Sequence, residues 1–267
     1  MVNRKGAGKS VNEKDAAMGR LLDGVRRFHA QAFPKRRPLF QRLARAQQPE
    51  TLLVTCADSR VVPELFTQTG PGELFVCRNV GNLVPAYGEA LGGVSAVIEY
   101  AVMALEVKNI VICGHSDCGA MKALVRPESL GGMPTVASWL RHAAAARGIV
   151  GVRYPDLDGE ALVQALVEQN VLTQLDHLRT HPSVAARLAE GRLGLHGWTY
   201  EIGTGTVSVF DPAAQRFVSL EEVADNGSKA KPGRVRAAST REPGRRLRDG
   251  ANRGRAGREA TAPSKPA

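Results

Sequence analysis

The chain has 267 residues, 43% of them apolar, enough to bury one good-sized α/β core or two small ones without disulfides. Its net charge of +10 invites a nucleic-acid reading, yet residues 226–267 hold twelve Lys/Arg against three Asp/Glu, a balance of +9 that leaves the rest near +1. No run of eighteen apolar residues marks a membrane span, and the polar start MVNRKGAGKSVNEKD lacks the apolar stretch of a secretory signal, so a soluble cytoplasmic protein is expected.

In chain order, residues 1–10 read as disordered. GAGKS at 6–10 fails as a phosphate loop, because Asn3 stands where the first glycine is needed and no strand precedes it. Leu21, Leu22, Val25, Phe28 and Ala32 recur at helical spacing, giving a first helix over 11–32, and a shorter one follows over 38–47. From residue 51 the runs TLLVT, ELFVCRN and NIVIC alternate with helical segments, the long EALGGVSAVIEYAVMALEV among them. That alternation predicts a mainly parallel sheet flanked by helices. Further helices are predicted over about 134–147 and 158–180. LGLHGWTYEI and TVSVFD then form two strands around a Gly-bearing turn, an antiparallel addition at the sheet edge. A single domain over 11–222 accounts for all but the tail. Residues 223–267, rich in Gly, Pro, Arg and Ala and without interleaved aromatics, read as a disordered basic extension rather than a specific nucleic-acid module.

Two of the apolar runs end in chemistry. LLVTCADSR finishes in Cys56, Asp58 and Arg60, and IVICGHSDCGAM carries His115 and Cys118. Parallel strands would bring Cys56 and His115 out on one sheet edge, where open α/β sheets bind ligands. Two Cys and one His suit Zn2+ and leave a position for water. The competing reading is buried structural thiols beside a surface His, and Cys77, Cys113 or a distant His stays open as a fourth ligand. Asp58 beside such a metal either takes its fourth position or orients its water, with Arg60 as a bidentate anchor. Cys77 and Cys113 lie inside apolar runs and read as buried small hydrophobes. His29, His142, His177 and His181 read as solvated rings, and His196 as the holder of a core hydrogen bond.

CADSR followed by GHSDCGAM, with PGELFVCRNVGNLVP and IEYAV between them, resembles the β-class carbonic anhydrases over roughly residues 35–222. The resemblance implies zinc on Cys56, His115 and Cys118, Asp58 and Arg60 as the orienting pair, and attack of zinc-bound hydroxide on CO2 to give bicarbonate and a proton. In the subgroup resembling the plant enzymes it places the substrate slot on Gln47, Phe75, Val80 and Tyr100, with Gln47 and Tyr100 contributed across a dimer interface. The N-terminal helices, 11–47, would pack on the partner subunit of at least a homodimer. A second subgroup has an inhibitory bicarbonate pocket built on a Trp three residues before the first zinc Cys, plus an Arg and a Tyr. Arg78 and Tyr200 are present, but Leu53 stands at the Trp position, so that pocket is expected to be absent. Rival functions are a hydrolase of CO2 analogues such as carbonyl sulfide or carbon disulfide, and a non-catalytic zinc or bicarbonate-binding protein. The latter has no need of Asp58 and Arg60.

Overall fold

The structure is a computed structural model that describes residues 7–89 and 92–222; the basic tail expected to be disordered lies outside the described residues. Where two separate N-terminal helices are expected, α1 (Ala7–Arg27) runs through a π-helical turn at Phe28–Ala32 into α2 (Phe33–Leu43). α1 starts four residues inside the segment read as disordered, and α2 begins and ends earlier than the expected 38–47. Proline accounts for the join. Pro34 has no N–H to offer, and its ring crowds the carbonyl four residues back in a regular helix. The wider turn, in which the Phe33 N–H reaches the Phe28 carbonyl, makes the room. The rings of Phe28, Phe33 and Phe40 close the bend against one another.

The strands are β1 (Thr51–Cys56), β2 (Leu74–Asn79), β3 (Asn109–His115), β4 (Gly194–Tyr200), β5 (Val207–Asp211) and β6 (Arg216–Ser219). They form one sheet in the order β2-β1-β3-β4-β5-β6. β2, β1, β3 and β4 are parallel, as the uninterrupted apolar runs require. The expected antiparallel edge is present, β5 pairing antiparallel with β4, which itself closes the parallel part; a further strand, β6, extends that edge. RFVS, the short β6, carries too little pattern to stand out in the sequence.

The remaining helices are α3 (Pro63–Phe66), α4 (Gly93–Met103), α5 (Gly119–Val125), α6 (Pro134–Trp139), α7 (Ala144–Arg153), α8 (Gly159–Thr180) and α9 (Pro182–Ala189). The single helix expected over 134–147 is two, split by a 3-10 turn at Leu140–Ala143. α9 follows α8 at once, because Pro182 cannot continue one helix but readily starts the next.

Leu52 and Val54 of β1 and Ile110 and Ile112 of β3 meet α4, α8 and α9 through Ile98, Val102, Val171, Leu178 and Val184. On the opposite face Leu53, Val111 and Cys113 lie under Phe66, Trp198 and Tyr200. At the carboxyl ends of the strands, α5, α7 and α8 close over Cys56 and Cys118. α8 reaches this depth because the sheet beneath it is notched by glycine. A Cβ on Gly114 would stand 2.9 Å from Val171 Cγ2 and 3.0 Å from Val167 Cγ1, and one on Gly197 would stand 2.9 Å from Val171 Cγ1.

The neighbours of Gly114 are packed side chains with nowhere to move, so overpacking sets the penalty. Gly114→Ala is expected to lower stability by about 1–3 kcal/mol, read by denaturant unfolding; an unchanged midpoint would show that α8 can lift off the sheet freely.

Candidate metal centre

Strand register assembles the centre. Thr55 of β1 pairs with Cys113 of β3, so Cys56 and His115 leave the sheet at the same edge. Asp117 then takes a left-handed backbone at φ 58°, a conformation Asp tolerates better than most residues, and this turns the chain back so that Cys118 precedes α5. The result is a cluster in which one donor atom from each of Cys56, His115 and Cys118 lies within 4.8 Å of the others, all three residues buried.

His115 shows what the cluster is shaped for. Its Nδ1 lies 2.8 Å from the Ser116 carbonyl, which makes that nitrogen the protonated one and leaves Nε2 as an acceptor. Nε2 is buried without a hydrogen-bond partner among the described residues. A lone pair held out of water in this way suits a cation, and thiolate, thiolate and imidazole are a zinc donor set. Cys77 and Cys113 are buried elsewhere, and burial pushes both thiols up, Cys113 to about 12. They lie outside this cluster.

In the metal-free chain the two sulfurs share a proton. Cys118 donates to Cys56, and together with the Gly81 and Asp58 amides this outweighs burial and lowers Cys56 to about 4. The same pairing, with burial, pushes Cys118 up.

Asp58 is clamped. Arg60 donates Nε to Asp58 Oδ1 at 2.9 Å and one Nη to Oδ2 at 2.8 Å, and its backbone N–H adds a bond to Oδ1 at 3.0 Å. This guanidinium holds the carboxyl well below the usual carboxylate range. Asp58 Oδ2 lies 3.9 Å from His115 Nε2, beside the triangle rather than in it. Arg60 has a second anchor: its other Nη donates to Asp117 Oδ2 at 2.9 Å, and Lys122 pairs with the other Asp117 oxygen. Asp117 sits inside the quoted GHSDC motif, yet its spacing alone gives no sign of this role. Arg78 donates to the carbonyls of Cys56 and Asp58 at 3.1 and 2.6 Å, fixing the backbone on which both side chains stand.

The four residues expected to line a substrate slot do not gather around one chain's cluster. Val80 adjoins Gly81, whose N–H donates to Cys56 Sγ at 3.4 Å. Phe75, by contrast, pairs with Leu52, four residues short of the Cys56–Asn79 pair, or ~13 Å back along the strand. Its ring packs on Tyr100 at 6.0 Å, and Tyr100 and Gln47 are exposed. Three histidines differ from the sequence reading. His142, its side chain 14% exposed, packs on the Trp139 ring and faces Glu89. His181 is buried with Nε2 on the Pro85 carbonyl, and half-buried His177 places Nδ1 on the Val84 carbonyl. His196 does form its hydrogen bond, to Asn109, but at the surface.

Parallel strands that deliver a buried acceptor nitrogen and two sulfurs to one point define a mononuclear metal protein of the open-sheet α/β type. The carbonic anhydrase family model matches residues 51–207. A carbonic anhydrase of Pseudomonas aeruginosa is 53% identical over 202 residues, covering 76% of this chain and 91% of that protein. Among solved structures, the β-carbonic anhydrase CcaA superposes with a TM-score of 0.75 at 46% identity, covering 76% of this chain and 99% of that one. A tetrameric β-carbonic anhydrase of Sordaria macrospora gives 0.61 at 29% identity, covering 75% and 96%. The chain belongs to the carbonic anhydrase family, in its β class.

The shared proton gives a metal-free signature. One thiolate per chain should be visible by ultraviolet absorbance near neutral pH and disappear as pH falls through about 4. The absorbance should be lost in Cys56→Ser; persistence in that variant would assign the thiolate to another cysteine.

Proposed function

We propose that Cys56, His115 and Cys118 hold the zinc ion of this β-carbonic anhydrase, and that Asp58 and Arg60 act beside it in the reversible hydration of CO2 to bicarbonate and a proton. The observation that carries the reading is the buried, partnerless Nε2 of His115 facing two cysteine sulfurs. Bound there, zinc supplies the Lewis acidity that makes water a nucleophile near neutral pH. The chain's own residues do the rest. Both Asp58 oxygens accept from Arg60, so the carboxylate stays ionised and serves as a fixed acceptor that orients the attacking water. Asp117 and Lys122 keep Arg60 from following solvent. Leu83 and Met121, both buried near the cysteines, keep the surroundings dry, as an uncharged and apolar substrate requires.

The slot itself is shared between subunits on this reading. Val80 comes from the chain that supplies the cysteines. Gln47, Tyr100 and also Phe75 come from its partner, because the β2 register sets Phe75 with Tyr100 and away from Cys56. α1 and the turn after it support a dimer: Met18, Leu21, Leu22, Val25 and Phe28 recur at helical spacing and are exposed in the single chain, an apolar stripe suited to a partner surface. The arrangement of the plant-type subgroup is favoured over the inhibited one. Leu53 is wholly buried against Phe66, Trp198 and Tyr200, and the Tyr200 ring stacks on Phe66 at 4.8 Å, which fills the ground a bicarbonate pocket would need. Among the described residues no helix is long and apolar enough to cross a membrane, and the cytoplasm is the proposed compartment.

Stopped-flow CO2 hydration tests the chemistry. The zinc-loaded protein should hydrate CO2, Cys56→Ser should lose both metal and rate, and Asp58→Asn should keep the metal and lose about a hundredfold in rate; zinc-loaded wild type without hydration would overturn the reading. Light scattering should give at least a dimer, and Leu21→Glu with Val25→Glu should dissociate it together with activity. A fully active monomer would refute the shared slot.

A further inference from the structure

α8 carries two amide side chains in the protein interior, Asn170 and Gln174, one turn apart and 1% and 0% exposed. Buried amides are costly unless their polar atoms are matched, so what they match is informative. Gln174 Oε1 accepts the Val84 N–H at 2.8 Å. That single backbone donor fixes the amide, because Nε2 must then point the other way, where it donates to Asn170 Oδ1 at 2.9 Å and to the His142 carbonyl at 3.2 Å. Asn170 is oriented in turn, and its Nδ2 donates to the Gly81 carbonyl at 3.0 Å. The preceding peptide is held from the other side: Trp139 Nε1 donates to the Val80 carbonyl at 2.8 Å.

These bonds grip the two peptides that flank the Gly81 α-carbon. The Val80–Gly81 peptide is the one whose N–H donates to Cys56 Sγ at 3.4 Å. Its carbonyl end accepts a hydrogen bond from Trp139 while its N–H end meets the sulfur, and bonds in such a row polarise one another. The turn cannot slide, because Gly81 sits at φ 82° and a Cβ there would come 2.9 Å from Ala120 Cβ, two residues after Cys118.

We propose that Trp139 and Asn170, the latter backed by Gln174, are positioning residues that aim the Gly81 N–H at the Cys56 thiolate and so set how much charge that sulfur gives to zinc. The inference rests on the reading of Cys56 as a zinc ligand. An N–H···S bond draws electron density off the thiolate and leaves the metal more electron-poor, the tuning that partners of metal ligands commonly supply.

The thiolate-to-metal charge-transfer band of the cobalt-substituted protein reads this directly. Trp139→Phe keeps a ring and loses the N–H; Asn170→Leu keeps similar bulk and loses the amide. Both are expected to shift the band to longer wavelength. Thr173→Val, on the same helix at a buried hydroxyl without a hydrogen-bond partner among the described residues, should leave it in place. A band unmoved in folded Trp139→Phe, or moved as far by Thr173→Val, would overturn the inference while leaving the ligand assignment standing. Trp139→Phe decides the matter should Asn170→Leu not fold. Absence of any thiolate band in wild type would instead remove the Cys56 ligand assignment, and this inference with it.

Discussion

The close approach of α8 to the sheet, at Gly114 of β3 and Gly197 of β4, sets the depth of everything built at the strand ends. Val167 and Val171 reach into the space those glycines leave open, and this brings the polar stripe of the same helix, Asn170 and Gln174, within hydrogen-bonding range of the 79–84 turn. That turn lies over Cys56 and against the start of α5, so one helix position governs both cysteines. Gly114 also immediately precedes His115. The residue that admits the helix and the residue that offers its nitrogen are neighbours in the chain.

The site divides its work between short-range and long-range interactions. Asp58 and Arg60 are two residues apart and would pair in most extended segments. Bonding to Asp117, which sits on the β3–α5 turn, is what gives the pair a fixed direction. Arg78 plays the same part for the backbone, tying the end of β2 to the end of β1. Charged groups near the surface contribute little stability one by one, but a network that crosses three chain segments fixes geometry.

Much of this was legible in the sequence, and what was not has physical reasons. Apolar runs ending in Cys and His mark strands that deliver ligands, and CADSR with GHSDC places the donors before any fold is known. Helix joints were less legible. Proline reads as a stop in a one-dimensional pattern, whereas Pro34 is absorbed by a π-helical turn and Pro182 opens α9. Asn170 and Gln174 carry no local signal, and His181 reads as solvated, because a polar residue on or beside a helix ordinarily faces water. Their partners, the backbone groups of residues 81–85, are about ninety positions away, and no local window contains them. For Phe75, register rather than composition is what separates the ring from its own chain's cysteines.

The ~13 Å between Phe75 and the level of Cys56 also bears on genetics. On the proposed shared slot, with the sulfur ligands on one subunit and the aromatic wall on the other, a lesion in either half disables a dimer of identical chains. When the two lesions lie on different chains, however, both fall in the same site. A mixed pair, one chain lacking Cys56 and the other lacking Tyr100, keeps one site with neither defect, so two dead alleles can complement each other within a single molecule.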